Sequence, residues 1–451
     1  MPNGFPVVVP VKLEAGFLQA FSRIAHLKGA FLLDSGDTAA RNARYSFAGA
    51  DPVRTLSAVG GFVDVDGRTI IDNPTESLKR MFNFSLLSNA VDSYLPFAGG
   101  LVGFISFEWA NFRGMDSANK SAIPDLYFGF YDTVITYDHI EESAWITSLG
   151  LNEDGSCDRD AAFRKIERLM RELQIPIKPS SGHLPPLNAR QEIFSGLSKD
   201  KYIEGINALK KAGGLPLFAR NFLSPTHKSP WEVYLALRKN AGAPFAAYIN
   251  RGDYAIMSSS RTCMLKISED NVVLNPTKGS LSSSHDKEED VKRVDELKHD
   301  PDYQVSHRSL VSDIISGLGN ISEPSSIELP TVAKVESDGK AHHIVSEINA
   351  VKHSYVDHLD CLLNLLPAFA EGRTASLISK IENSPRSVYT GTIGFIGVNK
   401  KSEFNSAFRT MILKETIGHL HSGVEVLNKT DGEEAFIKTT ASAEKIFELT
   451  H

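Results

Sequence analysis

One lysine stands where an amine could do chemistry. Lys278 lies in the stretch Asn275 to Ser284, N-P-T-K-G-S-L-S-S-S, after the alternating apolar segment 271–274 and before a Gly-Ser loop. An amine at a strand end among small residues can enter a pocket and act as a nucleophile once neutral. That requires burial or positive neighbours to bring a lysine down from its usual ~10.4. From composition alone the plainer reading is an exposed turn lysine. Other chemistries find little support. The three cysteines, Cys157, Cys263 and Cys361, have neither zinc spacing nor the even number of a disulfide framework. Among the 14 histidines only His342 and His343 are adjacent and no H-E-x-x-H occurs, so no histidine metal site is expected. The run Gly99 to Phe107 is glycine-punctuated but lacks the G-x-G-x-x-G spacing of a dinucleotide site.

The elements that must position these residues read as many strands interspersed with helices. Strands are expected at 5–9, 31–35, 44–49, 99–107, 133–137, 245–250, 254–258, 264–267, 389–398 and 404–413, with a meander of short strands over 54–72. Helices are expected at 13–27, 158–173, 198–211, 230–239, 286–297, 310–318, 343–351 and 358–366. Ser198 reads as a cap whose helix Gly213-Gly214 can end, and Ser229-Pro230 as cap followed by Pro at the first helical position. Strand and helix do not alternate regularly, which predicts α+β rather than a doubly wound parallel sheet. Pro176 to Leu187 is rich in Pro, Ser and Gly and reads as part of a connector, dividing the chain into 1–175, 176–196 and 197–451.

The chain has 451 residues, of which 42% are hydrophobic and 23% charged, ordinary for a globular protein. A formal net charge of −7 argues against a general nucleic-acid surface. No apolar run approaches the ~18–20 residues of a membrane span, and Met1 to Pro10 lacks the basic flank and apolar core of a signal peptide. A cytoplasmic protein is expected.

Eight motifs taken together resemble the chorismate-utilising enzymes, among them anthranilate synthase, aminodeoxychorismate synthase, isochorismate synthase and salicylate synthase. They are F-L-L-D-S (31–35), R-Y-S-F-A-G-A-D-P (44–52), G-G-L-V-G-F-I-S-F (99–107), P-D-L-Y-F-G-F-Y-D (124–132), P-T-K-G (276–279), H-H-I-V-S (342–346), Y-T-G-T-I-G-F-I (389–396) and F-N-S-A-F-R-T (404–410). Their order and spacing match over nearly the whole chain. The resemblance implies a large mixed α+β single-core fold of two packed β-sheets flanked by helices, as in anthranilate synthase component I. A lysine in P-x-K-G looks like the aminodeoxychorismate synthase branch, where it is thought to attack the chorismate ring before ammonia displaces it. Lys278 matches that position. Arg409, His343, Ser346 and Thr392 match positions that face substrate in the family. His343 also reads as a buried helix histidine, and Thr392 as a strand residue satisfied by backbone.

Departures from the family pattern cluster at its acids. The family lets Mg²⁺, a hard cation needing oxygen ligands in near-octahedral geometry, bridge substrate and protein carboxylates. Ser306 falls at one metal glutamate, Ser312 at a nearby aspartate, and Ile437 and Lys438 fall over the other glutamate pair. Arg261 replaces the general-acid glutamate. The threonine-glycine loop is shortened to Pro367–Arg373, and the glycine-rich turn near the C-terminus has become Ser422 to Asn428. No metal or other cofactor is therefore expected. Lys438 and Arg261 become candidate ligand-binding cations, because a fixed cation can hold an anionic ligand directly. The resemblance thus implies a diverged, magnesium-independent relative that binds a small carboxylated ligand and is not a classical synthase, with Lys278 still available for altered chemistry. Its alternative is an inactive partner or regulatory subunit of a separate glutamine amidotransferase. Leu32 to Ser35 corresponds to a region where anthranilate synthases bind feedback tryptophan.

Overall fold

The structure is a computed structural model that describes residues 6–14, 16–36, 44–85, 94–112, 121–152, 155–175, 193–213, 215–241, 243–337, 339–371 and 374–450. Most of the expected connector, 176–192, lies outside the described residues. Two antiparallel sheets dominate. The first runs, edge to edge, Val7–Val11, Ser143–Ser148, Thr133–Asp138, Tyr45–Gly49, Ala30–Asp34, Phe245–Asn250, Tyr254–Ser260, Thr410–Lys414, Ile417–Glu425, Leu217–Pro225 and Phe194–Ser195. The second runs Thr277–Ser282, Ala341–Val351, Asn271–Leu274, Cys263–Ser268, Lys401–Ser406, Thr392–Gly397, Gly100–Ile105, Leu126–Tyr131, Arg54–Val59, Phe62–Val65 and Arg68–Ile71, with Glu328–Ser337 paired on Ala341–Val351. Each sheet is half N-terminal and half C-terminal. The joints are the pairings of Ala30–Asp34 with Phe245–Asn250 and of Gly100–Ile105 with Thr392–Gly397.

Between the sheets lies an aromatic layer to which both contribute: Phe31, Phe47 and Ile256 from the first, Phe104, Tyr127 and Phe395 from the second. Within the second sheet, glycine lets neighbouring strands approach closely. A Cβ at Gly394 would stand 2.0 Å from the Glu403 carbonyl oxygen, and one at Gly103 would stand 1.9 Å from that of Tyr127. On the outer face of the first sheet, helices Arg159–Glu172, Pro230–Ala241 and Gly432–Thr450 add Ile166, Val233 and Phe447 to a second apolar layer. The outer face of the other sheet is covered in the same way by Pro301–Leu318 and His358–Phe369. Two sheets and two helical coats make the α+β architecture expected.

The caps read at Ser198 and Ser229 stand where expected, and Asp158 and Asp286, read as first helical residues, are caps as well. Asp158, Ser198 and Asp286 each accept a backbone N–H of the first turn, and Ser229 and Glu232 form a reciprocal capping box ahead of Pro230. Four expectations change. Residues 343–351 are not a helix but part of the strand Ala341–Val351. The single strand expected at 404–413 is two, Lys401–Ser406 and Thr410–Lys414, in different sheets. The helix expected at 13–27 is only Phe17–Ser22, and the one at 310–318 begins at Pro301. Among the described residues no helix is long and apolar enough to cross a membrane.

Candidate functional site

Lys278 lies on the edge strand Thr277–Ser282 rather than in a loop. Pairing with Ala341–Val351 loses register between Thr277 and Ser280, so Lys278 and Gly279 form a bulge. Gly279 supplies the positive φ, +93°, and its missing Cβ leaves room for Ile344, whose Cδ1 would otherwise lie 2.9 Å away. A bulge re-aims a side chain. Here Lys278 is 13% exposed and meets Glu371, with Nζ 3.2 Å from Oε1 and 3.4 Å from Oε2. Glu371 follows the C-terminal cap of His358–Phe369 and has a φ of +58°.

A second carboxylate serves the same bulge. Glu425, the last residue of strand Ile417–Glu425, accepts the Gly279 N–H at 2.8 Å. Burial pushes the Glu425 carboxyl upward, and the Glu371 charge adds to the rise. Lys278, the Gly279 N–H and Lys438 oppose it. Behind the bulge, His307 Nδ1–H donates to the Lys278 carbonyl at 3.2 Å. Its Nε2 then accepts from the Ser346 hydroxyl at 2.7 Å, and Ser346 Oγ accepts the Ala333 N–H at 2.9 Å. Burial lowers His307 to about 4, so it is the neutral tautomer this chain of bonds requires. Beside it, Ser306 is 1% exposed and its hydroxyl has no hydrogen-bond partner among the described residues.

A buried ion pair adjoins these groups. Arg386 is 1% exposed and grips Glu382 through two bonds of 2.6 and 2.8 Å, while donating to the Leu217 carbonyl and the Thr390 hydroxyl. Glu108 accepts the backbone N–H groups of Arg386 and Ser387, and burial raises its carboxyl to about 7. Tyr389 stacks on His421, whose Nε2–H donates to the Pro385 carbonyl at 3.1 Å. The Glu371 charge acts on Glu382, Arg386 and Tyr389, which ties this floor to the Lys278 group.

The residues singled out in the sequence divide into two places. Lys278, Ser346 and Lys438 gather around the bulge: Ser346 acts through His307, and Lys438, exposed on Gly432–Thr450, acts through Glu425. Arg261 and Arg409 occupy a corner where two chain segments switch sheets. Arg261 joins Tyr254–Ser260 to Cys263–Ser268, and Arg409, exposed at φ +50°, joins Lys401–Ser406 to Thr410–Lys414. The Arg409 carbonyl accepts the Ser259 N–H there. His343 is half-buried opposite Ser280, and three residues along a strand put it on the other face from Ser346. Thr392 is fully buried with its hydroxyl bonded to the Asn405 carbonyl at 2.5 Å. Glu371, Glu425, His307 and the Glu382–Arg386 pair were not anticipated. Only the last carried a sequence signal, opposite charges four residues apart near a helix end.

Away from the bulge, a small cleft opens between the sheets, lined by Asp34, Ser35, Tyr45, Phe245, Glu403 and Asn405 among others. Asp34 is already held there by the Tyr234 hydroxyl at 2.8 Å and Arg238 Nε at 2.5 Å.

Two large antiparallel sheets flanked by helices make the fold of anthranilate synthase component I. The solved anthranilate synthase component I of Streptococcus pneumoniae superposes with a TM-score of 0.77 at 21% identity, covering 90% of this chain and 93% of the other. The menaquinone-specific isochorismate synthase MenF of Escherichia coli superposes at 0.73 with 15% identity, covering 99% and 94%. In sequence, aminodeoxychorismate synthase component 1 of Bacillus subtilis is 27% identical over 450 residues, 94% of this chain and 93% of the relative. Anthranilate synthase component 1 of Bacillus caldotenax is 24% identical over 454 residues, 92% and 88%. The family model for chorismate binding enzyme matches residues 30–436. The chain belongs to the chorismate-binding enzyme family.

Proposed function

We propose that the protein binds a small carboxylated, chorismate-like ring at the Lys278 bulge without magnesium, and that it is not a classical synthase. The observation that supports this reading is the environment of Lys278, an inward ammonium between two carboxylates with Lys438 close by. The donors at the family's metal positions do not suit magnesium. Ser306 offers a neutral buried hydroxyl, and Lys438 offers a cation that repels a metal. Lys278 Nζ is already engaged by Glu371, so attack on a ring would first require that contact to open. Synthase turnover is therefore expected to be absent or very weak. Calorimetry of chorismate binding in EDTA and in excess magnesium tests the reading, and affinity that appears only with magnesium would sink it.

The same neutralised lysine favours a second reading, a non-catalytic subunit. The relatives in sequence carry the name component 1, which implies a second component. Under this reading the chain pairs with a glutamine amidotransferase. If adding the protein changes neither glutaminase nor synthase activity of such a partner, the second reading fails.

A further inference from the structure

We propose that Glu371 and Glu425 are internal stand-ins for ligand carboxylates, and that a carboxylated ligand enters the site by displacing Glu371 from Lys278. The inference rests on the carboxylate-site reading above and adds what determines access and specificity there. Two groups at the bulge are suited to receive an anion, the Lys278 ammonium and the Gly279 N–H. Each already holds a carboxylate of the chain itself, Glu371 on the first and Glu425 on the second. A ligand anion arriving beside both would face two like charges with little water between them, so one must leave.

The two carboxylates are not equally fixed. Glu425 closes a strand in full register with Leu217–Pro225 and accepts the Gly279 N–H at 2.8 Å. Glu371 lies beyond a helix end, and its contacts of 3.2 and 3.4 Å are longer than the ~2.7–2.9 Å of a strong charge-assisted bond. Lys278 and Glu371 are each 13% exposed, so an incoming anion can reach the pair. Glu371 is the exchangeable partner and Glu425 the fixed one. The exchange is charge-neutral at Lys278, one carboxylate for another, and needs no metal. It also selects for a carboxylate, since an ester or amide would leave the ammonium unpaired.

The experiment uses the full chain as wild type, Glu371→Gln, Glu371→Ala and Lys278→Met. Acetic anhydride labelling of Lys278, read by peptide mass spectrometry without ligand, reports the pair itself. With Glu371 no longer paired with it, Nζ is less shielded from the reagent, so labelling rises severalfold in both Glu371 variants. Calorimetry with chorismate in EDTA reports the exchange: affinity is expected to rise about tenfold in Glu371→Gln and to vanish in Lys278→Met. Unchanged labelling overturns the proposal. Equal chorismate affinity in wild type and the Glu371 variants also overturns it, while leaving the carboxylate-site reading intact. Binding by none of the proteins overturns that reading, and the exchange with it.

Discussion

Thr392 illustrates how a matched residue can serve the fold. It stands in the family's Y-T-G-T-I-G-F-I stretch, yet its hydroxyl is donated to the Asn405 carbonyl inside the second sheet. Replacing it by valine removes that bond at nearly constant volume. Thr392→Val is expected to cost ~1–2 kcal/mol in urea denaturation and to leave chorismate affinity unchanged. A loss of affinity at unchanged stability would return Thr392 to the binding site. The residues that matter to Lys278 are of another kind. Glu371 and Glu425 supply charge, and His307 fixes the carbonyl behind the bulge through Ser346. Apart from Ser346, none of these belongs to one of the eight matching motifs, because each reaches the lysine from a distant part of the chain.

At the scale of elements, the site depends on strands that change what the sequence pattern suggests. The stretch 341–351 has the alternating burial of a strand, but two of its inward positions are His342 and Ser346. Polar residues at inward positions hide a period of two and let a helical reading win. His342 is matched by Asp290 and Ser337, and Ser346 by His307, so neither is a buried orphan. Strand Thr392–Gly397 joins the N-terminal half of the second sheet to the C-terminal half, and Gly394 lets it approach its neighbour. A Cβ there would meet backbone, which cannot swing aside as a long side chain can. Gly394→Ala is expected to lower the yield of soluble protein sharply, read by fractionation. Wild-type yield and melting would show that the two strands can part at no cost.

The whole molecule carries several neutral histidines in its interior. His307 and His358 are lowered by burial to about 4, and His421 to about 3. His358 is held by Ser402 and the Glu269 carbonyl, far along the chain from the other two. Above the unfolded histidine value of ~6.5, neither folded nor unfolded chain binds these protons and nothing is lost. As pH falls below it, the unfolded chain takes up protons that the folded one refuses, and stability drops. The loss is complete for His307 and His358 once pH passes about 4, and for His421 nearer 3. The shifts correspond to losses of about 3 kcal/mol for His307 and His358 and about 5 for His421, not strictly additive. The urea midpoint should therefore fall steeply between pH 6.5 and 4, and less steeply in His358→Gln. A flat profile over that range would show that these side chains are hydrated in solution.

By itself the sequence determined the class of fold, the order of its motifs and the ends of several helices. Those features depend on local signals: apolar periodicity, a capping Ser ahead of a helix, and short patterns read in register over the chain. It also marked Lys278, whose setting among small residues survives as a glycine-supported bulge. Tertiary structure alone decided what surrounds that lysine. Ion pairs and hydrogen bonds between Lys278 and Glu371, or Gly279 and Glu425, join residues 93 and 146 positions apart, and no local spacing encodes them. It likewise decided that Arg409 sits at a turn between sheets, since one apolar run can cross from sheet to sheet through a single residue of positive φ. Local chemistry wrote the elements; long-range electrostatics placed a carboxylate on each side of the lysine.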